Sequence, residues 1–224
     1  MERTGRRRFR PRNRRREHVI LWITANPSQT QPLATDVECA GVQRELRMAA
    51  HGDDFRVETR GAVTVDDLIR ALVELQPAVL HLSMHGDAKL GVMLQDERGE
   101  PQPVSLRALA MIVRAACVKV RVMVLVACDS AAEARTALAA ADCVIAVAGK
   151  IDDAAARAFD VQFYGALANR RSLGNAVALG IAALAGKRMP DEAMLRCVTR
   201  AGIDANRLVL GAPRRGSARR SRRL

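Results

Sequence analysis

Aromatic residues supply only 3% of this 224-residue chain, one Trp, one Tyr and four Phe, so its core must be assembled from aliphatic strands and Ala-rich helices. No apolar run approaches the roughly 20 residues that a membrane span requires. The Arg-rich start has no apolar segment behind it, which excludes a secretory signal. Five cysteines, Cys39, Cys117, Cys128, Cys143 and Cys197, form no Cys-x-x-Cys pair and have no histidine at ligand spacing, which argues against a disulfide framework or a zinc site. Phosphate-cradling loops are missing too: no Gly-x-Gly-x-x-Gly or Walker sequence occurs, and the first apolar run ends in Ala25, Asn26, Pro27 and Ser28. The expectation is a soluble cytoplasmic protein with no cofactor and no resident metal.

Arginine, by contrast, is abundant at both ends. The net charge is +12, but residues 1–17 carry nine Arg and two Glu, and residues 213–224 carry six Arg and no acid, which leaves residues 18–212 at −1. The chain therefore divides into an Arg-rich disordered arm over 1–17, one folded domain over 18–212 and an Arg-rich disordered tail over 213–224. With 49% apolar residues overall, a domain of that length buries a core of its own. Basic tails bind phosphate polymers non-specifically through counterion release, or simply remain solvated extensions.

Within the domain, apolar runs alternate with helical patterns. His18 to Ala25, Ala78 to His85, Val118 to Ala127 and Cys143 to Ala148 read as strands, with a shorter one at Phe55 to Thr59. Helix starts are marked by Thr35 with Glu38 and by Ser130 with Glu133, each spaced as a capping box, and by Thr64 or Asp66, Ser105, Asp152 or Asp153, and Ser172. The Ser130 helix is expected to run to Ala141. Residues 91–104 read as a small hairpin, and Arg207 to Leu210 as a last strand. Strands that are apolar along their whole length belong in a mostly parallel sheet with helices on both faces. In such sheets function collects in the loops beyond the strands' carboxyl ends, which directs attention to Asn26, His85 and Cys128.

His85 and Cys128 each close a central strand before a turn. A thiolate, not a thiol, is the nucleophile, so a reactive cysteine needs a base or positive potential beside it. His85 can be that base, and the helix expected from Ser130 turns its positive end toward Cys128. The backbone N–H groups of Gly86 and Cys128 are candidate oxyanion donors. Position alone leaves two readings open, a Cys/His pair and two buried structural residues.

Ser83, Met84, His85 and Gly86, followed forty residues on by Leu125, Val126, Ala127, Cys128, Asp129 and Ser130, resemble the paired motifs of the CHAT family, bacterial caspase-like peptidases of the caspase and separase clan. Ala25, Asn26 and Pro27 with Leu33 and Glu38 resemble the family's opening loop and helix. Ile151 and Asp152 with Phe159, Phe163, Tyr164, Leu167 and Ser172 resemble its closing helices, so the similarity spans about residues 18 to 186. The resemblance implies a caspase-like three-layer α/β sandwich and a cysteine endopeptidase. His85 is then the general base, Cys128 the nucleophile, and a protein or peptide the substrate. With no repeat array, ATPase or sensor read in the sequence, the expected source of an activating signal is a regulatory protein partner. Family members often carry a histidine at the place of His81, which reads here as a packed core residue. Asp129, Asp152 and Asp153 fall on crevice loops and are candidates for a pocket that selects basic side chains, although the plainer reading of Asp152 or Asp153 is a helix cap. Two departures stand out: Met84 and Val126 occupy positions where the family commonly has Gly and Asn. They motivate an alternative, a catalytically weak or inactive interaction module with Arg tails that bind nucleic acid non-specifically.

Overall fold

The structure is a computed structural model that describes residues 17–211 apart from 29 and 118. Apart from Glu17, both Arg-rich arms lie outside the described residues. Five parallel strands form most of one sheet: β1 (His18–Ala25), β2 (Phe55–Arg60), β3 (Val79–Met84), β7 (Val120–Val126) and β8 (Ala141–Val147), in the spatial order β2-β1-β3-β7-β8. A sixth strand, β9 (Leu195–Thr199), adds antiparallel to β8 at the edge. A separate antiparallel trio, β4 (Gly86–Asp87), β5 (Gly91–Gln95) and β6 (Pro101–Val104), projects from the end of β3, where the hairpin was expected.

Side chains alternate across a strand, and each sheet face here is buried under helices. Ile20, Trp22, Val122, Val124, Cys143 and Ile145 pack on one side against α1 (Thr35–Met48), α5 (Asp153–Ala168) and α6 (Leu173–Gly186). Leu21, Ile23, Leu80, Leu82, Met123 and Leu125 pack on the other against α2 (Val65–Leu75), α3 (Leu106–Ala116) and the single turn α4 (Ala134–Ala137). This is the expected α/β sandwich, mostly parallel with helices on both faces. Burial of each such aliphatic side chain is worth about 1.5–3 kcal/mol. The scarce aromatics concentrate on the α5 side, where Phe159 stacks on Phe163, Phe163 meets Tyr164 edge-on and Tyr164 meets Trp22. Gly180 lets α6 come down onto them, because a Cβ there would lie 2.4 Å from the Phe159 ring.

Several helix starts match the expected chemistry. Thr64 and Asp67 exchange the reciprocal bonds of a capping box, and the side chains of Ser105, Asp152 and Ser172 each accept a backbone N–H of the following turn. Two do not. Thr35 lies inside α1, whose cap is Ala34, and Glu38 turns inward instead of reaching back to the backbone. Ser130 opens only a 3₁₀ turn (Ser130–Glu133), because its hydroxyl donates to Leu125 C=O and accepts the Val147 N–H, tying β7 to β8. The long helix expected from Ser130 to Ala141 is therefore absent, and with it the extended dipole aimed at Cys128. No strand forms at Arg207 to Leu210; among the described residues the last strand is β9, whose register puts Ile145 opposite Cys197.

Candidate functional site

Three carboxyl ends converge. β1 runs into the loop 26–34, β3 into His85, and β7 into Ala127 and Cys128. Gly86 and Cys128 are packed against each other backbone to backbone: a Cβ on Gly86 would lie 2.6 Å from the Cys128 carbonyl oxygen and 3.1 Å from its nitrogen. Only glycine fits, and its fit sets the histidine turn directly on the cysteine turn. Both side chains are half-buried and line one cleft, together with Leu33, Glu38, Ser83, Met84, Val126, Ile151 and Asp153.

The 26–34 loop is tied down over the histidine. Asn26 closes it by exchanging two hydrogen bonds with the Leu33 backbone, and Ser28 holds it to the hairpin through Gly99 and Glu100. Its Gln31 carbonyl oxygen lies 2.7 Å from His85 Nε2. A carbonyl only accepts, so Nε2 carries the proton and, in the neutral ring, Nδ1 is left as the basic nitrogen. On the cysteine side, Asp129 takes a left-handed φ of 57°, which Asp tolerates better than most residues. Its N–H donates to Gly149 C=O, anchoring the cysteine turn to the β8–α5 loop.

The three acidic candidates separate. Asp153 lines the cleft and accepts the Ala34 N–H. Asp152 caps α5 through Ala154 and is not part of the lining, and Asp129 serves the turn. Met84 does not distort its turn: it keeps the β3 register opposite Ala25 and its side chain is buried on the α2/α3 side. Val126 faces the cleft as an apolar wall.

Sequence reasoning missed a polar row. His81 and Ser83 point to the α1/α5 side of β3, and the His85 motif follows at the next position of the same parity. Ser83 Oγ donates to Glu38 Oε2 at 2.5 Å, and His81 Nδ1 lies 2.9 Å from Tyr164 Oη. Burial pushes the Glu38 and Asp160 carboxyls upward and His81 downward. The signal was present as polar residues at 81, 83 and 85, every second position of a run read as uniformly apolar. His81 is the packed, hydrogen-bonded core residue expected. The cysteines differ in exposure: Cys39 and Cys143 are buried, whereas Cys197 is exposed because β9 is an edge strand. Its sulfur lies 3.4 Å from that of Cys143.

A family model described as "CHAT domain" matches residues 2–192. Among curated proteins, a "Roc-COR-CHAT protease" from an unknown prokaryotic organism is 26% identical over 180 residues, covering 77% of this chain and 17% of the relative. A "Probable protease" of Gillisia limnaea is 26% identical over 152 residues, covering 67% of this chain and 27% of the relative. The chain thus spans about a quarter or less of the length of these relatives. Solved structures with a similar fold include the Arg-specific cysteine proteinase gingipain R, with a TM-score of 0.57 at 14% identity over 86% of this chain and 47% of that one. Caspase-1 from Spodoptera frugiperda gives 0.51 at 13% identity over 82% of this chain and 86% of the other. The Drosophila initiator caspase Dronc gives 0.53 at 13% over 86% and 81%.

Proposed function

The chain belongs to the CHAT domain family, and from that premise we propose that it is a cysteine endopeptidase with His85 as general base and Cys128 as nucleophile. The observation that carries the reading is the seating of Gly86 on the Cys128 backbone, which joins the two motifs at one cleft. His85 Nδ1 takes the Cys128 thiol proton, and the thiolate attacks the peptide carbonyl carbon. The resulting oxyanion lies against the N–H groups of Gly86 and Cys128. His85 then returns the proton to the leaving amine as the C–N bond breaks, giving a thioester. Water, deprotonated by the same imidazole, attacks the thioester and releases the acid and the thiol.

Asp153 is the cleft's candidate for selecting a basic side chain before the scissile bond. Profiling Arg-, Lys- and Asp-ended peptides with Asp153→Asn tests this, and an unchanged profile removes it. The Gln31 carbonyl over His85 supports a regulated enzyme, one whose protein partner moves the 26–34 loop to admit substrate.

Competitive thiol alkylation followed by peptide mapping is the test of the dyad. Burial pushes the thiols of Cys39 and Cys117 up to about 11, so they are internal controls. Cys128 is expected to react ahead of both controls near neutral pH and to lose that advantage in His85→Ala. Equal reactivity of Cys128 with the controls favours the inactive interaction module that Met84 and Val126 motivate.

A further inference from the structure

Below the cleft, three buried ionisable groups turn unused atoms toward one another. His81 is fully buried, its ring stacked on Trp22 at 3.5 Å between centroids. Its Nε2 faces Asp160 Oδ2 at 3.7 Å, too far for a hydrogen bond. His81 Nε2, Glu38 Oε1 and both Asp160 oxygens are buried with no partner outside this cluster, and the Glu38 and Asp160 carboxyls lie close enough to share a proton. One ligand atom from each residue lies within 4.8 Å of the other two. Two buried carboxyls are costly unless something positive balances them, and among the described residues neither makes an ion pair with Lys or Arg.

We propose that Glu38, His81 and Asp160 form a binding site for one first-row divalent cation, with zinc as its representative. Two carboxylates and a dication are neutral together, which matches the uncharged surroundings of Trp22 and Tyr164. A ligand set of one imidazole and two carboxylates suits zinc, manganese or iron better than the all-oxygen shells of calcium and magnesium. The supporting contacts fit as well. Tyr164 Oη can accept the Nδ1 proton, leaving the Nε2 lone pair for the metal, and the Ser83 hydroxyl fixes the remaining Glu38 oxygen. Glu38 also lines the His85/Cys128 cleft, which gives the ion a way in. The site stands independently of the peptidase reading. Its rival is a proton shared between the two carboxyls, the state that burial and the closeness of Glu38 to Asp160 favour.

The test uses the full chain, freed of metal by a chelator and titrated with Zn2+ by equilibrium dialysis, then with Co2+ by absorption. The expected result is one tightly bound Zn2+ in the wild type and a Co2+ spectrum with d–d bands but without the strong near-ultraviolet sulfur-to-metal band. That absence separates this site from the thiols of Cys128 or of the Cys143 and Cys197 pair. Asp160→Asn and Glu38→Gln should each lose the bound equivalent, and Tyr164→Phe should weaken it about 10- to 100-fold. Unchanged stoichiometry in both carboxyl variants, no bound equivalent in the wild type, or a sulfur-type Co2+ spectrum alone would overturn the proposal. Should a variant fail to fold, the wild-type stoichiometry and spectrum decide by themselves.

Discussion

The two faces of β3 are built on different principles. Leu80, Leu82 and Met84 meet α2 and α3 in an all-aliphatic layer, where size and shape are the main requirements. On the opposite face Val79 is followed by His81 and Ser83, and these meet Glu38, Asp160 and Tyr164 from α1 and α5. One strand thus carries a plain packing surface and a buried polar row leading to His85. A polar row without solvent is tolerated only where its groups are paired, and here four atoms have no partner outside the cluster of Glu38, His81 and Asp160. The contrast shows where the fold accepts a thermodynamic cost, and that place lies directly behind the cleft.

The largest effect should come from the aliphatic face. Leu82→Ala is expected to destabilise the domain by about 2–5 kcal/mol, read as a lower denaturant midpoint with an unchanged slope. A loss under about 1 kcal/mol would mean that this face is looser than its complete burial indicates. Gly86→Ala probes the junction at the end of the same strand. With Cys128 backbone atoms 2.6 and 3.1 Å from the added Cβ, the two turns must part, and the proposed peptidase activity should fall about 10²-fold while the far-ultraviolet spectrum is kept. Retained activity would remove the observation on which the dyad rests.

On the polar face, Ser83→Ala strips Glu38 Oε2 of its donor and should cost about 1–3 kcal/mol in chelator-treated protein. Combining it with Glu38→Leu, which removes both partners, should recover most of that loss. If the double variant is no more stable than the single one, the row is held by something other than the Ser83–Glu38 bond.

The smallest effect is expected at the amino end of the sheet, where His18 serves as a control for His81. Its Nε2 accepts the Gly211 N–H, and its pKa is lowered by burial, with Asp54 opposing and Arg121 reinforcing. A histidine whose folded pKa lies below the unfolded value contributes stability that is present above about pH 6.5 and lost as pH falls toward the folded pKa. His18→Gln should therefore flatten part of the wild-type decline in midpoint between pH 7.5 and 5.5. Parallel pH profiles would assign that decline to other groups.

Much of this molecule was legible in the chain. Continuous apolar runs identified the four central strands, and Ser105, Asp152 and Ser172 identified helix starts, because strand burial and N-capping are set within a few residues. The positions of His85 and Cys128 at strand ends followed from the same local patterns together with the CHAT resemblance. Local rules failed where a distant partner outbid the nearby one. Glu38 sits at capping-box spacing from Thr35, yet Ser83, 45 residues away, takes its carboxylate. Ser130 has cap spacing too, but its hydroxyl bridges Leu125 and Val147, and the helix shrinks to a turn. β9 was missed because an edge strand with one solvated face lacks the continuous apolar run that marks the others.

The sequence by itself determined the four central strands, most of the helix starts, and the placing of a histidine and a cysteine at two carboxyl ends. Those properties depend on hydrophobic period and turn chemistry, which act between near neighbours. Only the tertiary structure decided that Gly86 seats against Cys128, that Asp153 rather than Asp129 or Asp152 lines the cleft, and that Glu38, His81 and Asp160 share one buried place. These are contacts between α1, β3, β7 and α5, elements far apart in the chain, and their partners are chosen by packing once the sheet has formed.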